Sequence, residues 1–228
     1  MRLDIVIPSL NESKNLKNLL PYLKSHKMNA EVGIIVVGAK GTTDDSAEIC
    51  RSAAIRYLKA KKSCRAHQMN LGASASDADI LMFLHADVFP PQDFVQLIHE
   101  ALRSHDYGIF SYRFDSDSFL LRLNSLATRH KSMFSGGGDQ CLFITRALFD
   151  AKGGFSEEQI FMEDFELFSR LKAHGSYALI PSPSKVSPRK YQHNSWLRVN
   201  LVNLLAMTRF YMGSSPVALK EFCSRWLR

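Results

Sequence analysis

One carboxylate in the 228-residue chain directly follows a buried-type hydrophobic run. Asp87 ends the sequence His85-Ala86-Asp87, just after residues 80–84 (ILMFL). A carboxylate there could hold Mn²⁺ or Mg²⁺, which prefer oxygen ligands and in turn hold phosphates, so Asp87 is a candidate metal ligand for a bound diphosphate. The same side chain could instead cap the turn before Pro90-Pro91, and the motif alone does not separate the two interpretations.

A pair of acids, Glu163 and Asp164, opens a predicted helix. Either could act as a general base that deprotonates an acceptor hydroxyl. The positive end of the helix dipole would stabilise the same pair without any catalytic role. Further upstream, the glycine run 136–138 precedes Asp139 and Gln140 and gives a backbone that can approach a ligand closely, although a plain flexible turn has the same composition.

Two stretches carry basic or polar side chains suited to phosphate. Arg65, Gln68 and Asn70 lie close together, and an arginine can bind a phosphate with two hydrogen bonds; a solvated helix face is the alternative. The segment 182–196 holds Lys185, Arg189, Lys190 and His193, followed by Arg198. It could close over a diphosphate with His193 as an extra metal ligand, or it could be an exposed basic loop.

The elements that must position these side chains alternate between strand and helix in the first half. Buried-type strands are predicted at 3–8, 31–37, 55–58 and 80–84, with helices after residue 13 and at 46–54, 64–76 and 93–104. Such alternation predicts an α/β fold with a mostly parallel sheet. Ligands of such sheets bind beyond the carboxyl ends of the strands, so residues 8–12, 38–45 and 85–87 should meet at one edge.

The second half is less regular. We predict strands at 107–114, 141–144 and 177–180, helices at 119–131, 161–173, 197–212 and 216–226, and a mobile loop over 182–196. In the terminal helices, apolar and aromatic residues together with Arg198 and Arg209 could lie at a membrane surface, namely Leu201, Leu204, Leu205, Phe210 and Tyr211. Packing onto the domain or onto a second subunit is the alternative.

Composition narrows the class of protein. The net charge of +7 and a pI near 9.3 favour anionic partners such as nucleotides or an anionic membrane. The four cysteines form no CxxC pair, which argues against a zinc site and suits a cytosolic protein. Charged residues close to the N-terminus argue against a signal peptide, and no apolar run approaches a membrane span. We expect a cytoplasmic protein, with peripheral contact at the inner membrane face left open.

The motifs, taken in order, resemble family 2 glycosyltransferases of the GT-A fold. IPSLNE, RAHQMNLGA, LMFLHAD, GGGDQ, MEDFELFSRL and SPRKY resemble, in particular, a small bacterial subgroup described as radical-SAM/selenodomain-associated glycosyltransferases. The similarity covers nearly the whole chain. It implies inverting transfer of a sugar from a nucleotide-diphosphate sugar to an unidentified hydroxyl acceptor, which could be lipid-linked, with Mn²⁺ or Mg²⁺ as cofactor.

The resemblance also implies roles for individual residues. Pro8 and Glu12 would flank the nucleotide, and Asp87 would be the metal ligand of a DxD-type motif with His85 in place of its first aspartate. Gly138, Asp139 and Gln140 would lie at the sugar and acceptor. Asp164, or less favourably Glu163, would be the general base, and Arg189 and Lys190 would lie near the diphosphate.

One loop departs from the family pattern. Relatives carry an aspartate straight after the second strand, whereas Gly38 and Ala39 stand here. Asp44 or Asp45, later in the loop, could substitute in donor binding. The departure puts the usual uracil contact in question and motivates an alternative function, a nucleotide-sugar-binding protein that has lost transfer activity.

Two other classes fit less well. A nucleotidyltransferase should have a glycine-rich phosphate loop after the first strand, and IPSLNES has no glycine. Nucleic-acid binding rests on charge alone, since no stacking platform of aromatic and basic residues accompanies it. The predicted organisation is a catalytic domain over 1–181, divided into a nucleotide-binding half (1–104) and an acceptor half (105–181), with the basic loop and C-terminal helices of 182–228 packed on it.

Overall fold

A computed structural model describes residues 1–26 and 32–227. Its strands are β1 Leu3–Ser9, β2 Val32–Gly38, β3 Arg56–Lys59, β4 Ile80–Phe83, β5 Val88–Phe89, β6 Tyr107–Phe114, β7 Phe143–Thr145 and β8 Ala178–Val186. Its helices are α1 Ser13–His26, α2 Ser46–Ser52, α3 Arg65–Ser74, α4 Phe94–Ala101, α5 Phe119–Ala127, α6 Arg146–Ala151, α7 Glu163–Lys172, α8 Arg189–Gln192, α9 Trp196–Tyr211 and α10 Pro216–Trp226, with a 3-10 turn at Gly138–Gln140.

The strands form one mixed sheet in the order β3-β2-β1-β4-β7-β6-β8-β5. The first four are parallel, β7 runs antiparallel to both β4 and β6, and β8 runs parallel to β6. The predicted α/β class with a mostly parallel sheet flanked by helices is therefore confirmed.

The sheet lies between two hydrophobic layers, which explains why its central strands are continuous apolar runs. Successive residues of β1 alternate between them: Ile5 and Ile7 join one core cluster, and Val6 joins the other. On the first side, α1 buries Leu16, Leu19, Leu20 and Leu23, the spacing of one helical face. On the second side, α3 packs Gly72 against Val6 and Val37, where a larger side chain would collide.

The predicted secondary structure differs from the observed one mainly after residue 141. The segment predicted as a mobile loop is ordered: β8 continues to Val186, and α8 follows it. Ser184 and Val186 are buried on either side of the exposed Lys185, and they pair β8 with β6 and β5. Pro181 and Pro183 hide this strand in the sequence because proline is rare in a sheet interior; here they lie where the register of β6 and β8 shifts.

Other differences are smaller. The predicted helix 119–131 ends at Ala127, the strand predicted from 141 begins at Phe143, and β5, α6, α8 and the 3-10 turn were not predicted. The predicted boundary between 181 and 182 falls inside β8, and Glu31, predicted to begin the second strand, lies outside the described residues. Within the described chain, no helix is both long and apolar enough to cross a bilayer.

Candidate active site

The polar segments after β1, β2 and β4 meet at one edge of the sheet, as predicted. The buried Gln68 amide joins the ends of the first two strands, because its Nε2 donates to the carbonyls of Ser9 (2.9 Å) and Val37 (2.6 Å). Pro8 is buried within β1. The donor contact predicted for Gln68 is replaced by this structural one, since both of its amide hydrogens go to backbone carbonyls.

Asn70 also has a structural role. Its Nδ2 donates to the carbonyl of Phe155 (2.8 Å), and its Oδ1 accepts from the amide of the same residue (2.9 Å). This two-way bond mimics a strand pair and fixes the loop before α7 onto α3. The donor contact predicted for Asn70 is therefore replaced as well.

Asp44 holds two loops together. Its Oδ2 accepts from the backbone amide of Ser13 (2.7 Å), and its Oδ1 accepts from the hydroxyl of Ser46 (2.6 Å). Partial burial alone would raise the pKa of Asp44, but the hydrogen bonds from Ser46 and Ser13 outweigh it and lower the pKa. Because both oxygens are engaged in this way, the carboxylate fixes the starts of α1 and α2 rather than facing an open donor site.

Tyr57 explains the missing aspartate after β2. Its phenol ring, carried by β3, covers the Cα of Gly38 so closely that a Cβ there would collide with the hydroxyl. Ala39 is buried beside it. Sequence reasoning missed Tyr57. The available signal was its place on β3, the strand next to β2, where it pairs with Val36, two residues before Gly38.

The predicted metal ligand and the predicted diphosphate-binding arginine do come together. Arg189 Nη2 lies 3.6 Å from Asp87 Oδ2 and 3.7 Å from Glu12 Oε1. The guanidinium is exposed, so it is free to exchange these carboxylates for a phosphate. Three residues predicted to bind the donor therefore lie together: Glu12 after β1, Asp87 after β4 and Arg189 from α8.

Asp87 and Asp139 line one cavity of about 220 Å³. Its other walls include Arg189, Lys190, Tyr112 and Tyr191, and sequence reasoning missed the two tyrosines. Burial, and then the negative charge of Asp87, raise the pKa of Asp139 to about 6. Burial lowers the pKa of Lys190. A larger open groove of about 950 Å³, lined by Asn15, Arg113 and Lys185 among others, begins on the other side of Asp87.

These residues fit a divalent cation. Two carboxylates that repel each other in one cavity gain when a cation lies between them, and Mn²⁺ or Mg²⁺ bound to a diphosphate needs only one or two protein carboxylates. Residues 1–26 and 32–227 contain no group of three or more His, Cys, Asp or Glu side chains arranged to hold a metal. His193, the predicted extra ligand, is exposed and directly follows α8. No contact between His193 and Asp87 is found within the described residues.

The acid pair at the start of α7 is buried behind this cavity. Glu163 pairs with Arg65, with Oε1 2.8 Å from Nη1. The Oδ2 of Asp164 lies 3.7 Å from Nε2 of His85. Burial, followed by the charge of Glu163, raises the pKa of Asp164 to about 8. Burial, followed by the charge of Arg65, lowers the pKa of His85 to about 3, so its ring is neutral.

Gly138 is the point where these groups converge. A Cβ at this position would collide with the His85 ring and lie 2.7 Å from Asp164 Oδ2, so only glycine fits. Gln140 is buried, and its Oε1 accepts from the amide of Gly136 (2.7 Å), which fixes the glycine run. The run is therefore a tight, ordered wall against His85 and Asp164 rather than a flexible turn.

The model of a protein family described as Glycosyl transferase family 2 matches residues 4–162 of this chain. No curated protein sequence matches the chain. Among solved structures, a mannosyltransferase from Pyrobaculum calidifontis, in complex with GDP-Man and Mn²⁺, aligns with a TM-score of 0.69 at 16% identity, over 97% of this chain and 67% of that one.

Two further structures are similar. Residues 1–349 of S. aureus TarS in complex with UDP align with a TM-score of 0.68 at 11% identity, over 99% of this chain and 70% of that one. Glucosyl-3-phosphoglycerate synthase from Mycobacterium tuberculosis, in complex with Mn²⁺, UDP and glucosyl-3-phosphoglycerate, aligns with a TM-score of 0.60 at 17% identity. The alignment covers 99% of this chain and 80% of that one. At these identities the likeness shows a shared fold, that of the GT-A glycosyltransferases.

Proposed function

The chain belongs to glycosyl transferase family 2, and on that premise we propose that it is an inverting glycosyltransferase assisted by a divalent cation. Its donor would be a nucleotide-diphosphate sugar and its acceptor a hydroxyl compound. The observation that carries the proposal is the meeting of Asp87, Asp139 and Arg189 around one cavity, while the buried Asp164 lies beside Gly138, the residue before Asp139. Solved structures of the same fold contain UDP, or GDP-Man with Mn²⁺, which supports a nucleotide-sugar donor.

The donor diphosphate would lie between the acidic and the basic side of this cavity. Arg189 would leave its two carboxylate partners and bind phosphate oxygens, and Lys190 would add a second positive charge. Asp87, with Asp139, would hold the cation, which when bound neutralises charge on the departing diphosphate. In this arrangement the donor side draws Asp87 from residues 1–104, Asp139 from residues 105–181, and Arg189 and Lys190 from residues 182–228.

Asp164 is the better candidate for the base. Glu163 is bound to Arg65, whereas Oδ2 of Asp164 lies against Gly138 and 3.7 Å from Nε2 of His85. Asp164 would take the proton of the acceptor hydroxyl while the oxygen bonds to the anomeric carbon. The bond from that carbon to the diphosphate oxygen breaks on the opposite face, so the configuration inverts. The proton then passes to solvent.

The pKa of about 8 for Asp164 suits this task, because a base is most effective when its pKa lies near the working pH. The Arg65–Glu163 pair has a supporting role. The positive charge of the Arg65 guanidinium opposes the rise in the pKa of Asp164. Glu163 forms an ion pair with the same guanidinium. The neutral His85 ring lies beside the Asp164 carboxyl, and its buried Nε2 has no hydrogen-bond partner among the described residues.

The test is release of nucleoside diphosphate from a panel of UDP- and GDP-sugars with Mn²⁺, compared between wild type and Asp164→Asn. We expect Asp164→Asn to lower turnover by roughly 10²–10⁴-fold while donor binding is kept. Asp150→Asn, an exposed carboxylate on α6, is the matched control and should leave turnover unchanged. Unchanged turnover in Asp164→Asn would refute its role as base.

An alternative function follows from the loop after β2. Tyr57 fills the position of the usual aspartate, and Asp44 is engaged by backbone and hydroxyl groups. A nucleotide-sugar-binding protein without transfer activity would show donor binding and no diphosphate release with any acceptor. Membership of the radical-SAM/selenodomain-associated subgroup stays a prediction from the sequence motifs.

A further inference from the structure

One face of the molecule exposes far more apolar surface than the rest. On α9 the exposed side chains Leu197, Leu201, Leu204 and Leu205 form one stripe, while Val199, Val202, Ala206 and Met207 bury the opposite face. Helix α5 does the same: only Leu121 is buried, and Phe119, Leu120, Leu123 and Leu126 are between 41% and 71% exposed. Single exposed apolar residues are ordinary, but a continuous group of this size marks an interaction surface.

The two stripes belong to one surface. Asn124 of α5 donates to Asn200 Oδ1 of α9 (3.1 Å), and Tyr211 at the end of α9 donates to the carbonyl of Met133 (3.1 Å). Met133 and Phe134 are themselves more than 40% exposed. We call this surface the leucine face; it consists of the exposed apolar side chains of residues 119–134 and of α9.

The segments that form the leucine face carry mostly positive charge, and the exposed Asp117, just before α5, lies beside them with Oδ1 3.5 Å from Nη2 of Arg122. Residues 119–134 and 196–226, which form this face and the helix packed behind it, contain seven Lys and Arg and a single acid, Glu221. The remaining residues contain 22 Lys and Arg against 21 Asp and Glu, so nearly all of the +7 net charge of the chain lies in these two segments. Arg122 and Arg198 stand within the apolar stripes and are exposed.

A cavity opens between the same two helices. It has a volume of about 230 Å³ and is lined by Asn124 and Phe134 on one side and Asn200 on the other, with Gln140 and Tyr191 at its inner end. Tyr191 also lines the cavity that holds Asp87 and Asp139. Tyr112 and Asn203 line both cavities as well, so the path from the leucine face to the acidic residues runs past these three side chains.

We propose that the leucine face binds the surface of an anionic lipid bilayer. Leucines and phenylalanine would enter the boundary between headgroups and acyl chains, and the arginines and lysines would contact anionic headgroups, the arrangement by which amphipathic helices lie on membranes. Lys and Arg side chains are attracted to an anionic surface and repelled by one another, so charge complementarity favours a bilayer over a second copy of this basic chain.

This placement has a consequence for the acceptor, which rests on the proposed function. The cavity between α5 and α9 would open at the headgroup level, so the hydroxyl acceptor that reaches Asp164 would be carried on a lipid. The apolar part would stay in the bilayer beside Phe134, and the polar part would extend past Tyr191.

The test is co-sedimentation of the full chain with vesicles of phosphatidylcholine, with or without about 30% phosphatidylglycerol. We expect binding to the anionic vesicles that weakens as salt is raised. Leu201→Glu with Leu204→Glu, and separately Arg122→Glu with Arg198→Glu, should each reduce binding at least tenfold. Lys17→Glu with Arg103→Glu, the same charge change on exposed residues of α1 and the segment after α4, is the control and should bind nearly as well as wild type.

Three results would overturn the inference: no binding of wild type to anionic vesicles, equal loss in the control, or a wild-type dimer in light scattering that Leu201→Glu with Leu204→Glu makes monomeric without any vesicle binding. The last result would assign the leucine face to self-association. Thermal melting verifies that each variant is folded. Mn²⁺-dependent stabilisation by nucleoside diphosphates, measured without vesicles, needs no acceptor and keeps the two proposals apart. The leucine-face variants should retain it, and its absence in wild type would count against the proposed function alone.

Discussion

Asp164→Asn should make the folded protein more stable at neutral and alkaline pH, although it removes the proposed base. Burial and the neighbouring Glu163 raise the pKa of Asp164 from 3.8 to about 8. In the unfolded chain the carboxyl loses its proton near pH 4, whereas the folded protein keeps it to about pH 8. The folded state therefore binds more protons in this window, and stability falls as pH rises through it. Asparagine has the same shape and no proton to lose.

The expected magnitude is large. One pKa unit corresponds to about 1.4 kcal/mol, so a shift of this size places an upper limit of several kcal/mol on the gain above pH 8. Relaxation of the site will reduce it, and we expect a gain of about 1–4 kcal/mol at pH 8 and none at pH 4. For a protein of this size each kcal/mol raises the melting temperature by about 2–4 °C.

The assay is thermal melting of wild type and Asp164→Asn between pH 4 and pH 9, with Glu163→Gln as the matched comparison. Glu163→Gln removes the partner of Arg65 and should lower stability by about 1–2 kcal/mol, because that guanidinium is half exposed and recovers some hydration. Two results would show that the Asp164 carboxyl does not carry the raised pKa on which the assignment of the base depends. In one, Asp164→Asn melts below wild type at pH 8; in the other, the difference in melting temperature between Asp164→Asn and wild type is the same at pH 4 and pH 8.

Other residues of the site give further predictions. Gly38→Asp should destabilise the fold, because its side chain would collide with Tyr57, and Tyr57→Ala in the same chain should restore part of the loss in a double-mutant cycle measured by urea unfolding. Gln68→Ala should cost about 1–3 kcal/mol in the same unfolding measurement, since it removes the amide that donates to the carbonyls of Val37 and Ser9, of which Ser9 keeps the backbone amide of Ala39 (2.8 Å); a cost near zero would show that water replaces the amide. Turnover should rise with pH toward about 8 as Asp164 ionises, and a rate that falls over this range would contradict its role as base.

The central sheet could be predicted from the sequence because its strands are buried on both faces and read as short apolar runs. The same logic predicted that residues 8–12, 38–45 and 85–87 meet at one edge, since the ends of parallel strands lie together, and Glu12 and Asp87 do lie within reach of one guanidinium. It also predicted Arg189 at the diphosphate side, where the structure pairs this residue with Asp87.

The roles of Gln68, Asn70 and Asp44 could not be predicted. A buried amide that joins two strand ends has the same sequence signature as one that faces a ligand, and only the positions of Ser9, Val37 and Phe155 distinguish them. The ordered β8 was missed for a related reason: proline lowers strand propensity locally, but pairing with both β6 and β5 outweighs it.

The most direct measurement of the central claim is the thermal stability of wild type and Asp87→Ala with nucleoside diphosphates and nucleotide sugars, with and without Mn²⁺. We expect a stabilisation of about 2.7 kcal/mol when one nucleotide is present at about 100 times its Kd with Mn²⁺, and a much smaller one without the cation or in Asp87→Ala. Asp164→Asn should keep the Mn²⁺-dependent stabilisation. No stabilisation of wild type by any nucleotide, or one that neither Mn²⁺ nor Asp87→Ala changes, would contradict metal-assisted binding of a nucleotide sugar at this site.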